Sequence, residues 1–340
     1  MIKNKEKILT LAVIMTIISG NYPAIVRADV PGFNLPSIIV EAEAEKTLPG
    51  GFVKENSSIG FTGTQNVMEA PYKVVTIDQK AIKSFAGPAE GIVGALSLDP
   101  SVRIDRSGTY TDISIRGIYG SGHNMYVNGI PGLLGQENIP FYWVDSATVI
   151  SGPNQGVNAT GLSEAVGGSV NFQSKRALME DNANLKLAYK GGTTFEEGVD
   201  VGRRFGKDKK WGLRVTADNV SGGEYVRKNE KLTQTQFFMN LDQKSEKSTS
   251  NLLLGYARTK HSGGPGALNF QNTVTSLPDA PDAKTVSKPS WSYNEYENWI
   301  AALNHEQKLS KHVAAYVNAG YHKEDWYGYI DGSVNVIDND

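Results

Sequence analysis

The sequence predicts an exported α+β domain followed by the first strands of a membrane β-barrel. Three observations carry that prediction. The N-terminus is basic and then apolar, the layout of an export signal. A middle stretch mixes helix-like and strand-like segments with frequent glycines. Beyond Asp181 the hydrophobic period becomes two, and it recurs almost to the C-terminal end.

Lys3, Lys5 and Lys7 precede an apolar run from Ile8 to Ile18, broken only by Thr10 and Thr16. Gly20 and Pro23 end the run, and Val26-Arg27-Ala28 suits a cleavage site. The run is far shorter than the ~20 residues that span a bilayer, so residues 1–28 read as a cleavable secretory signal, leaving Asp29 as the new N-terminus. No later segment approaches ~18 consecutive apolar residues, so any entry into a membrane must be made by strands. Net charge is −2, which gives no bulk excess for nucleic acid. Cysteine is absent, which excludes disulfides, thiolate metal sites and thiol nucleophiles.

Residues 29–58 hold prolines and the acidic run Glu41, Glu43, Glu45, and read as an extended, exposed linker. Within it Ser37-Ile38-Ile39-Val40-Glu41-Ala42 is a lone β-prone hexamer, which by itself reads as an ordinary edge strand. Residues 59–176 have the texture of a compact α+β domain. Val74 to Ile77 is a strand, and Asp78 caps a short helix through Ser84. Pro88 to Leu98, apolar at Ile92, Val93, Leu96 and Leu98, suggests a second helix closing on Asp99-Pro100. Ile113–Ile115, Met125–Val127 and Ala147–Ile150 are short strands. Gly117, Gly120, Gly122, Gly129 and Gly132 lie between them, where the backbone turns tightly or packs closely.

From residue 183 to 340 about seven or eight strands alternate. Leu185, Leu187 and Tyr189 interleave with Lys186, Ala188 and Lys190. Val199, Val201, Arg203 and Phe205 interleave with Asp200, Gly202 and Arg204. Trp211, Leu213, Val215 and Ala217 interleave with Gly212, Arg214, Thr216 and Asp218. Less regular versions follow around 233–243, 249–258, 296–306 and 313–322. A soluble sandwich and a membrane barrel share this pattern, but their connections differ. After the first, third and fifth strands come about 7, 14 and 37 residues, and after the others about 5 or 6. Long loops alternating with short turns are the mark of an outer-membrane barrel. Trp211, Trp299, Tyr321, Trp326 and Tyr327, near strand ends, read equally as barrel girdles or as core.

Asp112-Ile113-Ser114-Ile115-Arg116-Gly117, then Tyr126-Val127-Asn128-Gly129-Ile130-Pro131, then Val149-Ile150-Ser151-Gly152-Pro153 resemble the plug of TonB-dependent receptors. The stretch from Gly63 through Ala70-Pro71 to Ile77 is similar as well, as are Gly161, Gly167-Gly168-Ser169-Val170-Asn171 and Lys175-Arg176 at the plug's end. Order and spacing agree over roughly 115 residues, which is more specific than any single motif. The resemblance implies a globular plug inside a barrel of twenty-two antiparallel strands in the outer membrane. It also implies active uptake of a ferric siderophore or similar chelate, with TonB as partner and outer-membrane lipid around the wall. It turns the hexamer Ser37, Ile38, Ile39, Val40, Glu41, Ala42 into a TonB box, whose backbone can be added to a partner's sheet edge. It nominates Arg106, Tyr110, Gly122, His123 and Gln136 as apical ligand contacts and Arg116 as a plug–barrel docking residue. Against the family pattern, Ser151 stands where an arginine is usual, which halves the expected charge cluster. The long stretch from His261 to Glu295 becomes an extracellular loop that closes over the ligand, with Trp291, Tyr293 and Tyr296 as lining or girdle residues.

Two rival readings remain. An enzyme lacks support: the sequence has no Gly-x-Ser-x-Gly, no P-loop and no His-Glu-x-x-His, and the resemblance implies no cofactor or resident metal. A passive pore or adhesin would use such strands but needs no large N-terminal domain. Some 160 residues after the plug are too few for twenty-two strands of ~10 residues each. The chain is therefore read as a truncated copy or a fragment of a receptor.

Overall fold

The computed structural model describes residues 46–58, 64–87, 91–106, 112–120, 125–135, 140–153, 166–223, 230–263, 267–276, 279, 282, 291–310, 313–329 and 333–336. Its N-terminal part contains β1 (Asn56–Ser58), β2 (Thr64–Asn66), β3 (Lys73–Ile77), α1 (Gln79–Phe85), α2 (Val93–Leu96), β4 (Val102–Arg106), β5 (Asp112–Ile115), β6 (Ile118–Gly120), β7 (Tyr126–Val127), β8 (Ile130–Pro131), β9 (Val144–Ser151) and β10 (Gly168–Ser174). A mixed five-stranded sheet runs β3-β9-β10-β7-β8, parallel only between β10 and β7. The antiparallel sheet β4-β5-β6 and the pair β1-β2 stand beside it.

Local chemistry explains these elements. Asp78 caps α1 as the sequence indicates, its carboxylate accepting from the Ala81 N–H at 2.8 Å. Asp78→Ala should therefore lower the free energy of opening of the α1 amides by about 1 kcal/mol, read by hydrogen exchange. The second helix is shorter than its apolar pattern suggests. Gly91 adopts a positive φ of 61°, which no helix continues through, so helical backbone begins only at Val93. Two tight hairpins follow from paired positive φ values. Arg116-Gly117 (54° and 77°) joins β5 to β6, and Asn128-Gly129 (50° and 81°) joins β7 to β8. Both fit the primed turns that match strand twist.

The rest is a wall of antiparallel strands: β11 (Asn182–Gly191), β12 (Thr194–Phe205), β13 (Trp211–Gly223), β14 (Lys231–Lys244), β15 (Ser248–Ser262), β17 (Tyr293–Lys308) and β18 (Ala314–Tyr329). Each pairs with the next, in the order β11-β12-β13-β14-β15-β17-β18, forming one open seven-stranded sheet. Two short strands, β16 (Ala267–Phe270) and β19 (Ser333–Val336), pair in parallel between the β15–β17 connection and the segment after β18. The seven strands match the seven alternating segments but run longer. Pairing continues through Gly191 to Thr194, so only a Gly192-Thr193 turn joins β11 to β12 where the apolar pattern suggested a longer loop. Backbone bonding does not stop where hydrophobic alternation does.

The two faces of the wall are the reverse of a soluble protein's. Glu196, Asp200, Arg214, Thr216, Asp218, Gln234, Gln236, Asn240 and Asp242 are buried. Their neighbours Leu185, Leu187, Phe195, Leu254, Trp299, Leu303 and Tyr321 are exposed. A sandwich buries its apolar faces, so this sheet is no sandwich wall. Polar inside and apolar outside is the arrangement of a barrel set in hydrocarbon. Trp326 departs from the girdle expectation. It lies opposite Tyr296 in the ladder, hence on the inner face, and the two rings stack at 5.5 Å. Trp299 and Tyr321 are outer-face residues but lie within their strands, because the strands extend past the apolar band.

Candidate functional site

The functional geometry lies where the N-terminal domain meets the inner face of the wall. Two kinds of contact hold it. The first is ionic and sits at the exit of β10. Lys175 reaches Asp200 of β12 at 3.2 Å, and Arg214 of β13 grips the same carboxylate at 2.6 and 2.8 Å. Arg214 also donates to the Arg176 carbonyl at 3.0 Å. Beside it Arg204 pairs with Asp242 at 2.7 Å and donates to the Ala177 carbonyl at 3.0 Å. Asn240 donates to Ser174 at 2.6 Å, and Asn304 to the Asn128 carbonyl at 3.0 Å. Strand alternation places Asp200, Arg214, Asn240 and Asp242 on one face, and hydrogen bonding makes their burial tolerable. Burial pushes the Lys175 ammonium down to about 8 against the opposing pull of Asp200.

The second kind of contact is steric. Trp143, fully enclosed, stacks on Phe238 of β14 at 4.8 Å and 16°, and its ring N–H donates to the Pro140 carbonyl at 2.7 Å. Phe238 lies flat over Gly255 of β15, where a Cβ would overlap the ring. Tyr142 lies over Gly198 of β12, where a Cβ would stand 3.2 Å from the ring. Leu133 and Ile130 fill the space above Gly320 of β18, within 2.9 Å of where its Cβ would be. The apolar core of the domain thus continues through Trp143 into Phe238, Leu253, Ile300 and Ala302 of the wall.

Of the residues singled out in the sequence, few fall within the described residues. Ser37 to Ala42, Tyr110, Gly122, His123 and Gln136 lie outside them. Arg106 ends β4, opposite Asp112 in the ladder. Arg116 is exposed on its turn, its N–H donating to the Ser101 carbonyl at 2.9 Å. Its guanidinium lies over Gly152, where a Cβ would stand 3.0 Å from Nη1. Ser151 is buried and shares a hydrogen bond with Ser101 at 2.8 Å, so position 151 adds no charge. The cation beside it is Lys73, directly opposite on β3 and paired with the buried Asp99. Sequence reasoning missed Asp200, Arg204, Arg214, Asp242, Tyr142 and Trp143 as docking residues. The signal was present: charges of both signs recur on one face of successive strands.

Residues 66–168 match the family model described as TonB-dependent Receptor Plug Domain. The chain is similar to the ferrichrome receptor FcuA of Yersinia enterocolitica, with 25% identity over 283 residues, 82% of this chain and 36% of that protein. It also superposes on BauA, the ferric preacinetobactin receptor of Acinetobacter baumannii, with a TM-score of 0.76 and 26% identity, covering 83% of this chain and 42% of that one. The alcaligin receptor FauA of Bordetella pertussis shares the fold at a TM-score of 0.60 and 16% identity, over 81% of this chain and 43% of that one. The chain thus spans well under half the length of the proteins it matches.

Proposed function

We propose that this chain, which carries the plug domain and part of the barrel of a TonB-dependent receptor, serves the energised uptake of a ferric siderophore across the outer membrane. The observation that carries the reading is a folded domain docked on the polar inner face of a wall whose outer face is apolar. Such a domain occludes a passage, so a solute that crosses must displace it, and that displacement requires work.

Each segment then has a role. Residues 1–28 direct export and are removed, and the linker expected over residues 29–58 ends earlier, because Val53 pairs with Ile77 and buried Ser57 bonds to Thr76 of the domain. Ser37, Ile38, Ile39, Val40, Glu41 and Ala42 offer TonB an unpaired backbone strand, since strand addition needs only a β-prone stretch with free N–H and C=O groups. Residues 59–176 form the plug, and residues 183–340 are barrel. Arg106, Tyr110, Gly122, His123 and Gln136 face the ligand. A guanidinium and an imidazole donate hydrogen bonds to the oxygens of a ferric chelate without ligating the iron. Arg116 docks the plug against further barrel strands.

The test is Ile39→Pro in the receptor that carries this chain. Proline removes a backbone donor and fixes φ, so strand pairing with TonB fails. Uptake of ferric ferrichrome should fall to background while its binding at the cell surface is retained. Equal loss of binding and uptake would assign the segment a structural role instead.

A further inference from the structure

Tyr142 stands between two ionic clusters on the wall, and the buried one holds more positive than negative charge in direct contact. On one side Lys175 and Arg214 share the single carboxylate of Asp200. On the other, Lys186 and Lys190 pair with Glu196, which also meets the buried carboxyl of Asp218, so bases and acids there are equal in number. The Lys175 ammonium lies 4.3 Å from the centroid of the Tyr142 ring, and that of Lys186 lies 5.1 Å from it. The ring face is the electron-rich part of a phenol and attracts a cation most strongly when both are withdrawn from water. Lys175 is withdrawn almost completely, with 3% of its side chain exposed. The absence of a side chain at Gly198 lets the ring lie against the wall at this point. Burial and the nearby carboxylates of Asp200, Asp218 and Glu196 also hold the phenol above its ordinary range, so it stays a neutral ring.

The position of Tyr142 in the chain gives these contacts a consequence. It belongs to the short segment from Pro140 to Trp143, which leads into β9. One cation comes from the end of the plug and the other from the first strand of the wall. The ring therefore ties three parts of the chain together: the segment that enters β9, the plug's exit and β11.

We propose that Tyr142 is a positioning residue which, by offsetting the excess cation of the Lys175, Arg214 and Asp200 cluster, holds the segment from Pro140 to Trp143 against the wall. The inference rests on the plug-and-barrel reading but not on any ligand. It separates a ring that compensates charge from one that merely fills space, because leucine keeps much of the bulk and none of the quadrupole. It further holds that the harm of losing the ring comes largely from Lys175.

These 340 residues hold no cysteine, so a thiol placed among them can be followed once any cysteine elsewhere in the receptor is changed to serine. Val220 is buried on β13 and lines the same small cavity as Tyr142, Glu196 and Asp218. With Val220→Cys as the single thiol in the receptor carrying this chain, labelling by a water-soluble maleimide in outer-membrane preparations reports whether the segment is seated. Tyr142→Phe, which keeps the ring, should leave the labelling rate within twofold. Tyr142→Leu should raise it at least tenfold. Adding Lys175→Met to Tyr142→Leu should bring the rate back to within threefold of the parent, because Asp200 and Arg214 then balance. A Tyr142→Leu rate within twofold of the parent would overturn the proposal. So would a raised rate that Lys175→Met leaves unchanged, which would make Tyr142 a packing residue only. No siderophore enters the assay, so its outcome is independent of which ligand the receptor takes, and ferrichrome uptake by the parent tests that reading separately.

Discussion

Asp200→Leu should unseat the plug at a cost of about 3–5 kcal/mol, the penalty for stranding buried charges by removing their partner. Among the described residues Asp200 is the one acid in hydrogen-bonding contact with both Lys175 and Arg214, and all three are almost wholly buried. Lys175 cannot turn to water without pulling β10 away from the wall, because it directly follows that strand, and Arg214 is held under the Arg176 carbonyl. The expected result is loss of hydrogen-exchange protection at Val170 and Phe172 in the membrane-embedded receptor, with increased entry of vancomycin into cells that express it. The triple change Asp200→Leu, Lys175→Met, Arg214→Met should restore most of the protection, since apolar replacement of a whole buried ion cluster is often neutral or stabilising. Failure of the triple variant to recover would mean that the cluster contributes through hydrogen bonds to the Arg176 carbonyl rather than through balanced charge.

The same cluster carries a pH signature whose sign is fixed. Lys175 in the folded protein titrates at about 8 rather than the ordinary 10.5. Between those values the unfolded chain binds more protons than the folded one, so docking stability rises with pH across that window. Below about 8 both states carry the proton and the burial penalty is present in full. Lys175→Met should abolish the rise, which a pH series of the same exchange measurement would detect.

Much of this fold was legible in the sequence because strand period is a strong and local signal. All seven wall strands stand where alternation places them, and the Arg116-Gly117 and Asn128-Gly129 turns stand where tight turns were expected. The boundaries were less legible. Alternation fades at Gly191 while the ladder runs on, and a left-handed Gly91 shortens a helix whose apolar spacing looked longer. The docking site was visible only in part. The polar face of each strand could be read, but not its partner, since Lys175 and Asp200 meet only once plug and wall are assembled. Resemblance drew attention to Arg116 and to the apical segment, whereas packing brings Tyr142 and Trp143 into the wall. Those two lie between the motifs at 126–131 and 149–153 and carry no pattern of their own.

Trp143→Ala should produce a loss as large as that of Asp200→Leu, and by an unrelated route. The indole is enclosed between the plug core and Phe238, so truncation removes its buried apolar surface and leaves a cavity that rigid strands cannot close. Such truncations cost about 3–5 kcal/mol. The stacked pair adds about 0.5–1.5 kcal/mol beyond burial, which also disappears. The wall side of the contact gives an independent check. Gly255→Val places a side chain where Phe238 now lies, so the ring must rotate out of the plane that Trp143 stacks on. Overpacking of this kind costs about 1–3 kcal/mol. If the seat is one unit, the two changes together should cost less than their sum, because each already breaks the same stack. Exchange protection of the Val144 to Ser151 amides, measured in the single and double variants, reads this directly. Full additivity would show that Gly255 shapes the wall alone and that Trp143 needs no socket there.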